Sequence, residues 1–159
     1  MNAYRRIYEN NKRLDEIFIR KYENIQNFYE YNCIEMLVEL GEFVNETKCF
    51  KFWSTKSPNR EKVLEEYADC ITMALVFFNF FDLKIEDEYS HIESKNVCDI
   101  INHLFILSTF LMKREEKVVK DLFGNLLYLG ELFKFSKEEI IEAIDKKHRI
   151  IEERLNTDY

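Results

Sequence analysis

Two pairs of acids stand at helical spacing in this chain, Glu39-Leu40-Gly41-Glu42 and Glu66-Tyr67-Ala68-Asp69. Residues three apart share a helix face, so each pair can aim its carboxylates at one point. The stretch between the pairs has room for a helix end, a loop and the start of a returning helix. Two antiparallel helices could therefore bring four carboxylates together. Four negative charges do not share a small site unpaired, and a hard divalent cation is their natural partner. Oxygen-only ligands select Mg2+ or Mn2+ over zinc. Acids at this spacing also serve simply to solvate helix surfaces, but Asp69 argues against that. It lies in YADCITMALVFFNFF, apolar on nearly every side, where Asp69, Thr72 and Asn79 form one narrow polar stripe. An unpaired charge on so buried a helix is very costly. On the other helix Glu35, Glu39, Glu42 and Glu46 fall along one stripe, with Leu37, Leu40, Phe43 and Val44 on other sides. Gly41, between the first two acids, costs about 1 kcal/mol relative to Ala in a helix interior. Either the close approach of a helix or ligand, or plain packing, would account for it.

The elements that must position these acids are helices. With three glycines in 159 residues and one proline, Pro58, the chain has few breakers. Periodicity predicts six helical segments, over about 3–21, 25–51, 58–81, 95–113, 115–133 and 136–155. Ser57-Pro58 suits a helix start, with Ser as N-cap and Pro at the first position. The charged stretch 82–94 is expected to be a loop. Gly130 is a weak stop signal, and Ser136-Lys137-Glu138-Glu139 is a capping box. No repeat or strand alternation is present. The expectation is an all-α bundle of about six helices, one domain over 1–159.

Hydrophobic residues make up 47% and charged residues 33%, a globular balance that excludes disorder. The net charge of -7 argues against a nucleic-acid backbone binder. It leaves room for a free nucleotide, because a bound metal can invert the local sign. Cys33, Cys49, Cys70 and Cys98 form no C-x-x-C pair and are expected to be buried thiols in a reducing compartment. No apolar run follows the N-terminal arginines, so no signal peptide is visible. The longest apolar run, near 71–81, falls short of the roughly 18 residues of a membrane span. A cytoplasmic protein is expected. His91 and His103 have no partner pattern and are taken as structural.

With those acids in view, LVELGEFVNETKCFKFWS, from Leu37 to Ser54, resembles the signature of the dimeric all-α dUTPases. EEYAD, from Glu65 to Asp69, fits that family's second motif. The family is part of the wider MazG-like group, whose hallmark is E-x-x-E followed by E-x-x-D. The resemblance implies a MazG-like helical fold, a homodimer, and Glu39, Glu42, Glu66 and Asp69 as ligands of two or more Mg2+ ions, with Mn2+ as a substitute. It implies hydrolysis of dUTP, and of dUDP, to dUMP, with release of pyrophosphate from dUTP. Glu39, ahead of Glu42, would take the proton of the attacking water, and the β phosphorus would be the one attacked. The metals would neutralise developing charge on the phosphates and acidify that water.

The C-terminal segment adds a third match. The family's KKNxxNxxRQxxGY is met here by Lys146-Lys147-His148, Arg154 and Tyr159 in register. Lys147 and Arg154 would complement the outer phosphates, with Tyr159 beyond the helix end. Leu14-Asp15 matches the family's Q-x-x-L-D, with Asn11 where Gln is usual. These positions, Asn11 and Asp15 among them, are expected to help hold the nucleotide. Lys51 and Lys56 are candidate helpers beside the metal helix, and Trp53 and Phe52 could wall the base. Taken alone, such lysines and arginines are solvated helix charges and such a tryptophan plugs a core. The departures are His148 and Ile151 for Asn, Leu155 for Gln and Asp158 for Gly. They leave base specificity open. A MazG-like enzyme acting on another nucleotide, such as dCTP, is the alternative, and a non-catalytic helical regulatory module is a second. The four retained acids argue against that second alternative.

Overall fold

In the computed structural model, which describes residues 3–23 and 25–157, the helix carrying Asp69 is the axis of the structure. This helix, α3 (Arg60–Phe80), is buried at every residue from Tyr67 to Phe78. Around it stand α1 (Ala3–Lys21), α2 (Phe28–Thr47), α4 (Val97–Phe110), α5 (Glu116–Leu132) and α6 (Lys137–Asn156), with a 3-10 turn at Leu111–Lys113. Among the described residues there is no strand, so the all-α expectation holds. No helix among them is long and apolar enough to cross a membrane.

The helix ends are set by local chemistry. The Ser136/Glu139 capping box at the start of α6 forms in both directions. The start of α3 differs from the sequence expectation. Asn59 is the N-cap, not Ser57, because its side-chain oxygen accepts from the N–H groups of Glu61 and Lys62. Pro58 therefore precedes the helix. α2 is shorter than expected, bounded by Asn27 (φ 62°) and Lys48 (φ 54°), both left-handed. Gly130 does not stop α5. The stop is Lys134 at φ 55°, with the N–H of Phe135 donating to the Gly130 carbonyl and that of Lys134 to the Glu131 carbonyl. Gly130 has a different reason to be glycine: a Cβ there would collide with the Tyr67 hydroxyl.

Packing then fixes directions. Tyr29 at the start of α2 meets Phe77 near the end of α3, while Phe43 meets Tyr67, so the two helices run antiparallel. The Tyr67 hydroxyl donates to the Leu126 carbonyl at 2.8 Å and ties α3 to α5. α1 and α6 run parallel. Arg6 pairs with Asp145, Asn10 with His148 and Arg13 with Glu152, and Lys21 donates to the Leu155 carbonyl. The stretch after α3 is irregular, as expected, but not merely charged. Leu83 and Ile85 are buried, and Gly124 lets the Ser90 carbonyl press against α5. Cys33 and Cys70 are buried, but Cys49 is half-buried and Cys98 exposed, which corrects the expectation of four core thiols. Cys98 lies in the first turn of α4, beside its Asn96 cap, where the side chain faces outward.

His148 is only 2% exposed, and burial pulls its pKa down from 6.5 to about 4. An unfolded chain would bind a proton between those values while the folded one does not, so stability present above pH 6.5 is lost as pH falls toward 4. Relative to His148→Gln, the wild-type protein should lose about 3 kcal/mol of unfolding free energy between pH 7 and pH 4. Urea melts of both proteins across that range measure the difference, and parallel curves would refute a neutral buried histidine.

Candidate active site

Antiparallel packing of α2 on α3 decides which acids meet. Leu40 and Phe43 are fully buried and turn Glu39 and Glu42 to the flank of α2 that faces α3. Tyr67, Ala68 and Cys70 do the same on α3 for Glu66 and Asp69. Glu39, Glu42 and Glu66 each offer a carboxylate oxygen, and these oxygens lie within 4.8 Å of one another. Asp69 stands outside that trio but interacts with it electrostatically, and its Oδ2 accepts from Lys147 Nζ at 2.7 Å.

Several of the acids here have a raised proton affinity. Burial, then the charge of Asp69, pushes Glu39 up to about 7. Burial also raises Asp69, against the pull of Lys147, and raises Glu35 and Glu66. Among the described residues, the buried carboxylate oxygens Glu39 Oε2 and Asp69 Oδ1 meet no hydrogen-bond donor. Buried acceptors of this kind are normally satisfied. An all-oxygen donor set with orphaned buried oxygens fits a hard divalent cation.

These acids open on one side into a cavity of about 450 Å³ between α1, α2, α3 and α6, a size in the range of small-molecule sites. Glu39 and Asp69 line it, together with Asn11, Asp15, Lys147 and Arg154, and with Leu14, Phe18 and Met73 as apolar surface. The polar stripe of α3 therefore faces this cavity through Asp69 and Thr72, and Asn79 donates to Asp15 Oδ2 at 3.1 Å. Burial raises Asp15 to about 7, although the Asn79 and Asn11 amides favour its charged form. Glu42 and Glu66 line a groove on the other side, along Gly41 and Glu46.

Of the residues singled out in the sequence, Asn11, Asp15, Lys147 and Arg154 are brought to the cavity, as are Ile151 and Leu155. Lys51 donates instead to Asn45 Oδ1 at 2.7 Å, and Lys56 is exposed; neither lines the cavity. Trp53 and Phe52, 64% and 93% exposed, stack edge-to-face on each other and form no wall for a base within this chain. They lie in the loop after α2, which runs past the opposite end of the helix from the cavity's Tyr31 and Asn32. Tyr159 lies outside the described residues. Glu35 and Asn32 line the cavity without having been singled out as site residues. Glu35 stands one turn before Glu39 on the same acidic stripe, which is the signal that could have found it.

Lys147 was expected on phosphates, yet it is the direct partner of Asp69. At the far end of the cavity, Asn11 and Asp15 belong to a buried polar chain running through His148 to the surface of α1. Cations, orphaned acids and amide groups thus converge on a single nucleotide-sized space.

A protein-family model described as dUTPase matches residues 3–159 of the chain. No curated protein sequence matches it.

Lys147 can be tested without any substrate. In the presence of EDTA, Lys147→Met leaves the buried Asp69 carboxylate without its cation, and it should lower stability by about 2–4 kcal/mol at pH 8. Losing Lys147 also removes the charge that favours the ionised form of Asp69, so protonation relieves the penalty and the loss should shrink as the pH is lowered from 8 to 5. A loss that is equal at both values would rule out the ion pair as its cause.

Proposed function

The chain belongs to the dUTPase family, and from that premise we propose that it is a Mg2+-dependent enzyme cleaving dUTP to dUMP and pyrophosphate and also accepting dUDP. The observation that carries the metal reading is the trio Glu39, Glu42 and Glu66 within 4.8 Å, flanked by the orphaned oxygens of Glu39 and Asp69. Glu39, Glu42, Glu66 and Asp69 are the residues that would hold the cations. Such ions supply neutralising charge for the phosphates and a lower pKa for the attacking water.

The chain's own side chains do the rest. The base and sugar occupy the space beside Asn11, Asp15 and the apolar surface of Leu14 and Phe18. Lys147 and Arg154, on the same face of α6, complement the phosphates, where charge grows as the anhydride breaks. Glu39, which reaches both the acid cluster and the cavity, is suited to take the proton of the attacking water. Water oxygen joins the β phosphorus, the bond from that phosphorus to the bridging oxygen breaks, and dUMP departs.

The working form is proposed to be a two-fold dimer. Tyr31, Ile34 and Val38 on α2 are exposed, and the position of Gly41, where a Cβ would meet nothing within 4 Å, continues the same stripe. A reducing, nucleotide-containing cytoplasm suits the free thiols and the substrate, and the whole chain is proposed to act as one domain.

Asp69→Asn keeps size and removes one charge. It should lower kcat by orders of magnitude with an unchanged circular dichroism spectrum, and normal turnover would sink the four-acid site. Ca2+ in place of Mg2+ should inhibit, because its looser coordination positions water and phosphate poorly. Pyrophosphate release should be fastest from dUTP in a screen that includes dCTP, UTP and dTTP. Reaction in 18O-water should label the pyrophosphate, and label in dUMP would overturn attack at the β position. Light scattering at micromolar concentration should give a dimer mass, and Val38→Glu should shift it to monomer.

A further inference from the structure

Asn11 is 1% exposed at its place on the cavity wall, yet its amide is not free to turn, and the reason lies in four residues in series. Arg13 approaches Asn10 Oδ1 with Nε at 3.2 Å and a terminal nitrogen at 3.0 Å. A guanidinium only donates, so Asn10 must face it with its carbonyl and turn its amide nitrogen away. That nitrogen meets His148 Nδ1 at 2.9 Å. Nδ1 is therefore an acceptor. Burial holds His148 neutral, with a pKa of about 4, so its single ring proton sits on Nε2. Nε2 lies 3.1 Å from Asn11 Oδ1 and donates to it. The Asn11 amide nitrogen is left pointing the other way, donating to Asp15 Oδ2 at 3.3 Å beside the cavity.

We propose that the Arg13–Asn10–His148 chain locks Asn11 with its amide nitrogen toward the cavity, making His148 a positioning residue through which the site favours a base edge bearing a carbonyl over one bearing an exocyclic amino group. This rests on the reading that a nucleotide base occupies the 450 Å³ cavity. A locked N–H2 group pairs with a carbonyl oxygen of uracil. In the same pose cytosine would set its own N–H2 against it, leaving buried donors unpaired on both sides. Without the lock, only the 3.3 Å contact to Asp15 Oδ2 would oppose a half-turn of Asn11 that presents its carbonyl to cytosine. His148 does not line the cavity and acts only through Asn11. Positions 11 and 148 are also two at which this sequence departs from the pattern it resembles. Their contact makes the two departures one change: the side chain at 11 is shorter by a methylene, and the longer ring at 148 reaches it.

The test is the ratio of kcat/KM for dUTP over dCTP, in Mg2+, for wild type, His148→Leu and His148→Gln, with thermal melts alongside. Wild type should prefer dUTP. His148→Leu removes both the acceptor and the donor, so the ratio should fall by about tenfold to a hundredfold, mainly through a higher KM for dUTP. His148→Gln can accept from Asn10 at one atom and donate to Asn11 at the other, and it should restore most of the preference. If His148→Leu does not fold, Asn10→Ala breaks the chain one link earlier and should show the same fall. A ratio unchanged in the variants that fold, whatever their melting temperatures, would mean the ring merely packs. A wild type that turns over dUTP without preferring it to dCTP would also overturn the inference. A wild type that hydrolyses neither nucleotide would overturn the proposed function itself, and this inference with it.

Discussion

Asp69 is a carboxylate on the most buried helix of the molecule, and its demand for a positive charge constrains everything around it. An uncompensated charge at such a position would be very costly. Lys147 answers part of that demand from α6, at 2.7 Å from one oxygen. The other oxygen meets no donor among the described residues, and neither does one oxygen of Glu39. One lysine cannot neutralise a trio of glutamates in addition to Asp69. Burial first, and then the neighbouring carboxylates, raise the proton affinities of Glu35, Glu39, Glu66 and Asp69. An all-oxygen site in this condition fits a hard divalent cation.

That demand also explains the placement of the outer helices. α6 must lie close enough to α3 to bring Lys147 to Asp69, and α1 must hold α6 in that position. The parallel pairing of α1 with α6 does so through Arg6–Asp145 and Arg13–Glu152, which are exposed and individually weak. The Asn10–His148–Asn11 chain between them, buried at His148 and Asn11, is the more specific tie, because each of its members can pair in only one sense. The cavity is the space left where α1, α2, α3 and α6 cannot close on one another. Its acidic end and its amide end come from different helix pairs, so a nucleotide could be gripped at both ends.

Much of this was legible in local patterns. The Ser136 capping box formed as read, since a cap involves only neighbours in sequence. The bounds of α1 were likewise fixed by periodicity. Local patterns mislead where another residue intervenes. Gly130 has the look of a stop signal but is small to admit the Tyr67 hydroxyl; at the start of α3 the competition is local, and Asn59 rather than Ser57 takes the N–H groups. Trp53 and Phe52 are exposed and lie away from this chain's cavity, and residue type says nothing about which side of a loop faces a cavity.

The sequence by itself determined the helical class, the two acid pairs and the unusual burial of Asp69, because three-residue spacing and unbroken apolar runs are properties of a single helix. Only the tertiary structure decided that three of the four acids converge while the fourth pairs with Lys147. It alone showed that His148 is a buried neutral link to Asn11. Those contacts join residues 78 and 137 positions apart. No helical periodicity extends across such a separation, so the partners are chosen by how α1, α3 and α6 pack and not by any pattern within one of them.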